Sequence, residues 1–234
     1  MNEILFVVTI LINFIGIILA FKFWKKEGLL VWIGFATIIA NIEVVKCIDL
    51  FGISQTLGNV IYGSIFLATD ILSEIYGKKE AQKGVFIGFF SMIVFTLMMR
   101  VNLSYIPNAD DFVSESMGVV FALTTRIAFA SLFTYLISNL LDTFTFDKIK
   151  EKFPTHLWLR NNGSTMTSQL IDSILFNFIA FVGVFDGTTL LTIIISTYLI
   201  KVVIAACDTP FIYLATKIYK HDNEKIKKLE ESES

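Results

Sequence analysis

The chain has 234 residues, of which 55% are hydrophobic and only 17% charged. A soluble domain carries roughly 25% charged residues, so too few polar side chains remain to cover a water-soluble globule of this size, and a soluble enzyme domain is excluded. The net charge of −2 likewise excludes the basic surface that a nucleic-acid partner requires.

The apolar residues gather into long runs bounded by charge clusters or by Gly, Pro and Asn, and each crossing of a bilayer takes roughly 20 of them. The pattern predicts an all-α, polytopic membrane helix bundle with seven transmembrane helices at 4–21, 29–46, 57–76, 84–99, 118–142, 164–184 and 188–219. It divides into an extra N-terminal helix with its basic loop (1–27), a six-helix core (28–220) and a cytoplasmic tail (221–234). The first run begins with Glu3 instead of a basic segment, lacks an A-x-A-like site and ends in Lys22, Lys25 and Lys26, so it reads as a retained helix and not a signal peptide. The connection 100–117 contains Pro107, Asp110, Asp111 and Glu115 and reads as an interfacial segment or lid. The last run would be about 48 Å long as a helix, so it must tilt, emerge from the membrane or bend near Pro210. The tail mixes Lys and Glu without an apolar stripe and reads as a helix end fraying into disorder.

Lys and Arg accumulate in cytoplasmic loops. Fifteen of the 19 basic residues fall in the first, third and fifth connections and from Lys217 to the end of the tail, among them Lys78, Lys148, Lys150, Lys152 and Arg160. The N-terminus is therefore expected outside and the C-terminus inside. Cys47 and Cys207 lie far apart, with no C-x-x-C spacing and no neighbouring His, and read as packing residues.

An ionisable group at the bilayer centre costs about 2.5–3.5 kcal/mol on insertion scales, so each needs a partner, water or a substrate. Glu43, Asp70, Glu74, Asp142, Asp172 and Asp208 lie in or at the ends of spans, against Lys46, Arg126 and Lys201. Six acids cannot all be closed pairs with three bases. Glu43 and Lys46 form an i, i+3 pair. Asp70 and Glu74 share a helix face, and Glu74 stands four residues before Lys78, so an end-of-helix ion pair and a functional role are both open for it. Arg126 lies about 12 Å into a span that begins near Gly118, which favours a place in the cavity. Asn139 and Asp142 share a face near the cytoplasmic end, where Asp142 can be solvated; Gln169 and Asp172 share a face deeper in. A salt bridge from Lys201 to Asp70 or Asp172 is one expectation. Asp208, beside Thr209 and Pro210, is poised between supporting a bend and meeting a ligand. No H-E-x-x-H, G-x-S-x-G or G-x-x-x-x-G-K-[ST] is present, and neither an enzyme nor a metal or other cofactor is implied.

From about Asn41 to Tyr213 the chain resembles the vitamin uptake or queuosine-precursor transporter family. The carrying segments are Ala68-Thr69-Asp70-Ile71-Leu72-Ser73-Glu74-Ile75-Tyr76-Gly77, Arg126-Ile127-Ala128, Asn139-Leu140-Leu141-Asp142, Leu157-Trp158-Leu159-Arg160-Asn161-Asn162-Gly163-Ser164-Thr165, Gln169-Leu170-Ile171-Asp172, Lys201 and Asp208-Thr209-Pro210. Asn139 departs from the Gln usual at that place. The resemblance implies a plasma-membrane (inner-membrane) carrier importing a 7-deazaguanine such as 7-cyano-7-deazaguanine, or a related salvage base. It also implies Asn41, Asp70, Glu74, Arg126, Asn139, Asp142, Gln169, Asp172, Lys201 and Asp208 as substrate-binding candidates. A guanine-like edge offers a ring N–H and an exocyclic amine that one carboxylate accepts together; Asp70 or Asp172 is the expected acceptor, and a buried acid can also carry a coupling proton. The substrate-binding membrane component of an ATP-driven assembly is the alternative, and monomer and homodimer are both open.

Overall fold

The computed structural model describes residues 1–121 and 125–233. They form α1 (Asn2–Glu43), β1 (Cys47–Leu50), β2 (Ile53–Thr56), α2 (Asn59–Ile75), α3 (Lys78–Asn102), α4 (Ser114–Phe121), α5 (Thr125–Lys152), α6 (Leu157–Phe181) and α7 (Gly187–Glu233). Four of these, α1, α3, α5 and α7, contain stretches long and apolar enough to cross a membrane, so the chain is a multi-pass membrane protein.

The first two expected spans are the arms of α1. The helix breaks at Lys25 (φ 52°, ψ −129°), and the second arm folds back along the first. A Cβ added to Gly28 would lie 2.2 Å from the Ala20 carbonyl oxygen, so only glycine permits the arms to approach that closely. The basic loop of the sequence is thus a tight helical turn.

Between α1 and α2, in the connection 47–56 that the hydropathy pattern leaves between two spans, the chain forms a β-hairpin. β1 and β2 pair antiparallel from Cys47↔Thr56 to Leu50↔Ile53, around Phe51 and Gly52, both at positive φ, as two-residue hairpin turns require. Asn2 reaches it by donating from Nδ2 to the Asp49 carbonyl at 3.0 Å, and Phe6 meets Phe51 edge-on.

α2 packs against α1, α3, α5, α6 and α7 and is buried along almost its whole length. α6 is inside-out: its buried face carries Arg160, Asn161, Ser164, Thr165, Ser168, Gln169, Asp172, Ser173 and Asn177, while Trp158, Leu170, Ile174 and Phe178 point outward. Such a helix is stable only where the solvent is lipid and the polar groups find partners inside. Both cysteines are exposed and not packed as expected, Cys207 on the outward face of α7 and Cys47 in the hairpin.

Other boundaries shift. The expected span 118–142 is divided in the described residues between α4 and α5, with 122–124 outside them, and α5 runs on to Lys152, so Asp142 is fully buried instead of solvated near an end. α6 begins at Leu157, seven residues earlier than expected, because its polar first turns face protein. The tail is helical to Glu233, where the composition suggested disorder.

One end of the bundle is tied by ion pairs: Lys25 with Asp222, Lys26 with Glu80 at 3.4 Å and Lys78 with Asp147 at 3.5 Å. The other carries the β-hairpin, the segment between α3 and α4, and the turn before α7. There Asp186 caps α7, accepting from the Thr189 N–H at 2.9 Å and from the hydroxyls of Thr188 and Thr189. The Thr189 hydroxyl, followed by its backbone N–H, holds the Asp186 carboxyl below the usual range.

Candidate functional site

Three polar layers cross the interior of the bundle. The first takes one side chain from each of four helices. Asp172 of α6 accepts at Oδ1 from Tyr62 Oη of α2 (2.7 Å) and Ser138 Oγ of α5 (3.0 Å), and pairs through Oδ2 with Lys201 of α7. The Lys201 ammonium lies 5.0 Å from the Tyr62 ring centroid, within cation–π range. Asp172 and Lys201 are 4% and 6% exposed, so their charges balance in a medium where neither could remain alone.

The second layer lies seven or eight residues further along α2 and α7 and four further along α5, roughly 6–12 Å away. Here Asp70 of α2, Asp142 of α5 and Asp208 of α7 converge, all buried, and α6 supplies the donors. Thr165 Oγ1 donates to Asp70 (3.3 Å), Ser168 Oγ to Asp142 (3.0 Å) and Asn161 Nδ2 to Asp208 (2.6 Å). Among the described residues Asp70 Oδ1 and Asp142 Oδ2 are buried without a hydrogen-bond partner, and like charges gathered in a dry layer cannot all ionise, so the layer holds a proton. Among the described residues no ion pair joins a cation to any of the three.

A third layer closes the column at the basic end. Glu74 accepts two bonds from Arg160, at 2.9 and 2.7 Å, and lies 3.2 Å from Lys150. Arg160 also donates to the Pro154 carbonyl at 2.9 Å, and Lys150 to the Ser73 and Glu74 carbonyls at 3.2 and 2.8 Å, which satisfies the last turn of α2 and opposes its dipole.

Beside the first layer, a narrow cleft, closed in this conformation even to a water molecule, runs between α2, α6 and α7, lined by Asn59, Gly63, Thr165, Gln169, Lys201 and Ile204 among others. A Cβ on Gly63 would lie 2.6 Å from Ile204 Cγ2, so glycine lets α2 and α7 close over it. Gln169 is 1% exposed, and its Oε1 has no hydrogen-bond partner. Thr165 lines the cleft and bonds Asp70, so it joins the cleft to the carboxyl layer.

The family model described as Putative vitamin uptake transporter matches residues 56–215, more than half of the chain. The chain belongs to the vitamin uptake transporter family. It is a membrane transporter and not an enzyme. Among relatives of this family member, a Bacillus subtilis (strain 168) protein named Probable queuosine precursor transporter is 42% identical over 91% of this chain and 93% of its own. The Escherichia coli (strain K12) Queuosine precursor transporter is 27% identical over 61% of this chain and 62% of its own. A Haemophilus influenzae (Rd) protein, also named Probable queuosine precursor transporter, is 28% identical over 56% and 54%. No solved structure matches. The vitamin uptake transporter match begins just before α2 and ends in α7, so it contains all three polar layers.

Of the expected site residues, Asp70, Asp142, Gln169, Asp172, Lys201 and Asp208 come together in this family member's core. Asp208 is held across to α6 by Asn161, and Thr209 by Asn162 at 2.7 Å, so both side chains turn to α6 and not to the backbone around Pro210. Asn139 is buried, but its Nδ2 turns to the Tyr135 carbonyl of its own helix. Glu74 is taken up by Arg160 and Lys150, while its expected partner Lys78 pairs with Asp147. Arg160, expected in a loop, is 4% exposed.

Two candidates lie elsewhere. Asn41 bonds the Thr37 carbonyl one turn back on α1. Arg126 is exposed in the first turn of α5, not deep in a span, and donates to the Ile179 and Val182 carbonyls at 2.5 and 2.7 Å, capping the end of α6. The expected pair of Glu43 with Lys46 does not form: among the described residues Glu43 Oε2 is buried without a partner, and Lys46 lines a separate cavity. Tyr62, Ser138, Thr165 and Asn59 escaped sequence reasoning, which weighed charges and passed over hydroxyls and amides that complete a site.

Proposed function

We propose that this protein imports a queuosine precursor, a 7-deazaguanine such as 7-cyano-7-deazaguanine or a related salvage base, across the plasma membrane. The observation that carries the proposal is the cleft where the unpartnered Gln169 oxygen and the Lys201 ammonium flank the Asp172 centre. The relatives' names supply the substrate class. A guanine-like ring has its carbonyl next to a ring N–H and an exocyclic amine. Lys201 donates to the carbonyl, Asp172 accepts the paired N–H groups in place of Lys201, and Gln169 accepts a further N–H. Tyr62 and Ser138 keep Asp172 oriented while it exchanges partners, and a ligand bridging Asp172 and Lys201 keeps each charge hydrogen-bonded.

The carboxyl layer supplies the coupling ion. Asp70 and Asp142 share a proton, Thr165 links them to the cleft, and the two sites differ in charge when that proton leaves toward the basic end. The two arms of α1 together with α2, α3, α5, α6 and α7 give seven crossings. The ion-paired end, where Lys25, Lys26, Lys78 and Lys150 gather, faces the cytoplasm by the positive-inside rule, and the hairpin end faces out.

In a strain unable to make the precursor, the protein is expected to restore queuosine to tRNA, and Asp172→Asn and Asp70→Asn, expressed at normal levels, to abolish the restoration. Unchanged restoration by both variants overturns the site. Uptake into proteoliposomes is expected to collapse with a protonophore; uptake that persists assigns facilitated diffusion, and uptake only with ATP and a co-purifying ATPase assigns the protein to an ATP-driven assembly.

A further inference from the structure

A second cavity, of about 290 Å³, lies at the hairpin end. Phe6 and Thr9 of α1, Lys46, Ile48 and Thr56 of the hairpin region, and Asn59 of α2 are among its walls. Asn59 also lines the central cleft, so one side chain stands between the two spaces. Its Nδ2 donates to Gln55 Oε1 at 3.2 Å, tying the inner end of the hairpin to the first turn of α2. Both amides are buried, Gln55 at 4% and Asn59 at 9% exposure, and Gln55 Nε2 has no hydrogen-bond partner. A buried donor without an acceptor carries the full cost of its lost hydration, and an incoming ligand that offers an acceptor relieves it.

We infer that the hairpin-end cavity is a first binding site for the transported molecule and that the Gln55–Asn59 amide pair is the selective gate between it and the central cleft. The inference rests on the proposed transport of a planar base. Chemistry favours that class of ligand. A side-chain amide sets a donor beside an acceptor, which matches the lactam or aminopyrimidine edge of a heterocycle bidentately. Opening the gate replaces one amide–amide bond by amide–ligand bonds and leaves no charge unpaired, whereas an ion pair there would have to be broken against its desolvation cost. An ion passing the same pair finds no countercharge on either amide. The hairpin is the moving part, anchored to α1 by the Asn2 bond and the Phe6–Phe51 contact.

The test uses a thiol placed in the cavity, Thr56→Cys in a Cys47→Ser/Cys207→Ser background, in intact cells treated with a membrane-impermeant maleimide, alongside uptake by the unsubstituted protein. With 7-cyano-7-deazaguanine at ten times its dissociation constant, labelling is expected to slow about tenfold. The slowing is expected to survive Asp172→Asn, which removes the central site, and to vanish with Asn59→Leu or Gln55→Leu. Loss of protection in Asp172→Asn, with uptake by the unsubstituted protein intact, overturns the separate outer site and leaves the transport function standing. Protection unaffected by Asn59→Leu and Gln55→Leu overturns the amide gate. Absence of uptake by the unsubstituted protein overturns the transport reading itself.

Discussion

Asp172, buried, and Glu74, half-buried, are both carboxylates with cationic partners, yet their surroundings separate them. Asp172 has one cation and two hydroxyl donors, so it can exchange the lysine for a neutral ligand and remain bonded. Glu74 is held bidentately by Arg160 and approached by Lys150, and it reads as a clamp among α2, α5 and α6. Removing one member of such a pair strands the other. Arg160→Met is expected to destabilise the purified protein by roughly 3 kcal/mol, while Glu74→Met/Arg160→Met recovers most of that loss in a double-mutant cycle of thermal unfolding in detergent. If the double variant is stable but no longer transports, Glu74 is a substrate contact. Intramembrane charge is legible in a sequence because its cost marks it, and six of the ten candidates found that way or through the family motifs lie in the core. Pairing is not legible, since Glu74 passed over Lys78, four residues away, for Arg160, 86 residues away.

At the scale of elements, hydropathy placed the arms of α1 and the buried α2, and misjudged the start of α6 and the end of α5. The arms of α1 were readable from their apolar runs, and Lys25 fell in the basic cluster between them. α6 has a buried face that is almost wholly polar, so its first turns, from Leu157 to Gly163, looked like a loop until the partners on α2, α5 and α7 were known. The β-hairpin is too short for a periodicity argument, and its turn, Phe51-Gly52, lacks the usual Asn-Gly signal. At Gly28, replacement by Val is expected to force the arms of α1 apart and to lower expression and melting temperature, whereas Gly187→Ala, which meets nothing within 4 Å, is expected to leave both unchanged. The cap on α7 gives a pH dependence with a definite sign. Because the Asp186 carboxyl is held below its ordinary value in the folded state, its contribution is present in full above the unfolded value and is lost as pH falls through the folded one. The melting-temperature deficit of Asp186→Ala is expected to be larger at pH 7 than at pH 3.

For the whole molecule, the two ends differ in what holds them. Ion pairs tie α1, α3, α5 and α7 together at the basic end; amides, a hairpin and ring contacts hold the other. With the hairpin end outside, exposed Cys47 is expected to react with a membrane-impermeant maleimide in intact cells, and Cys47→Ser to remove that labelling. Labelling only after permeabilisation reverses the orientation. Overall charge and composition identified lipid as the solvent, but the division into a tied end and a looser one comes only from which side chains meet.

α7 has a mechanical consequence. Its 47 residues span about 70 Å, far more than the roughly 30 Å hydrocarbon core, and one continuous rod carries Lys201, Asp208, Pro210 and Asp222. A rotation that draws Lys201 away from Asp172 therefore swings the protruding end as a lever, and the Lys25–Asp222 contact acts as a brake on the swing. Pro210, which lacks the amide hydrogen of its turn, is where the rod can yield. Deletion of 220–234 is expected to raise the turnover of uptake in proteoliposomes with little change in the half-saturating concentration, while a cross-link fixing position 222 to position 25 is expected to slow it. If that contact is the brake, the tail sets the pace of a cycle centred about two and a half helical turns before the proline.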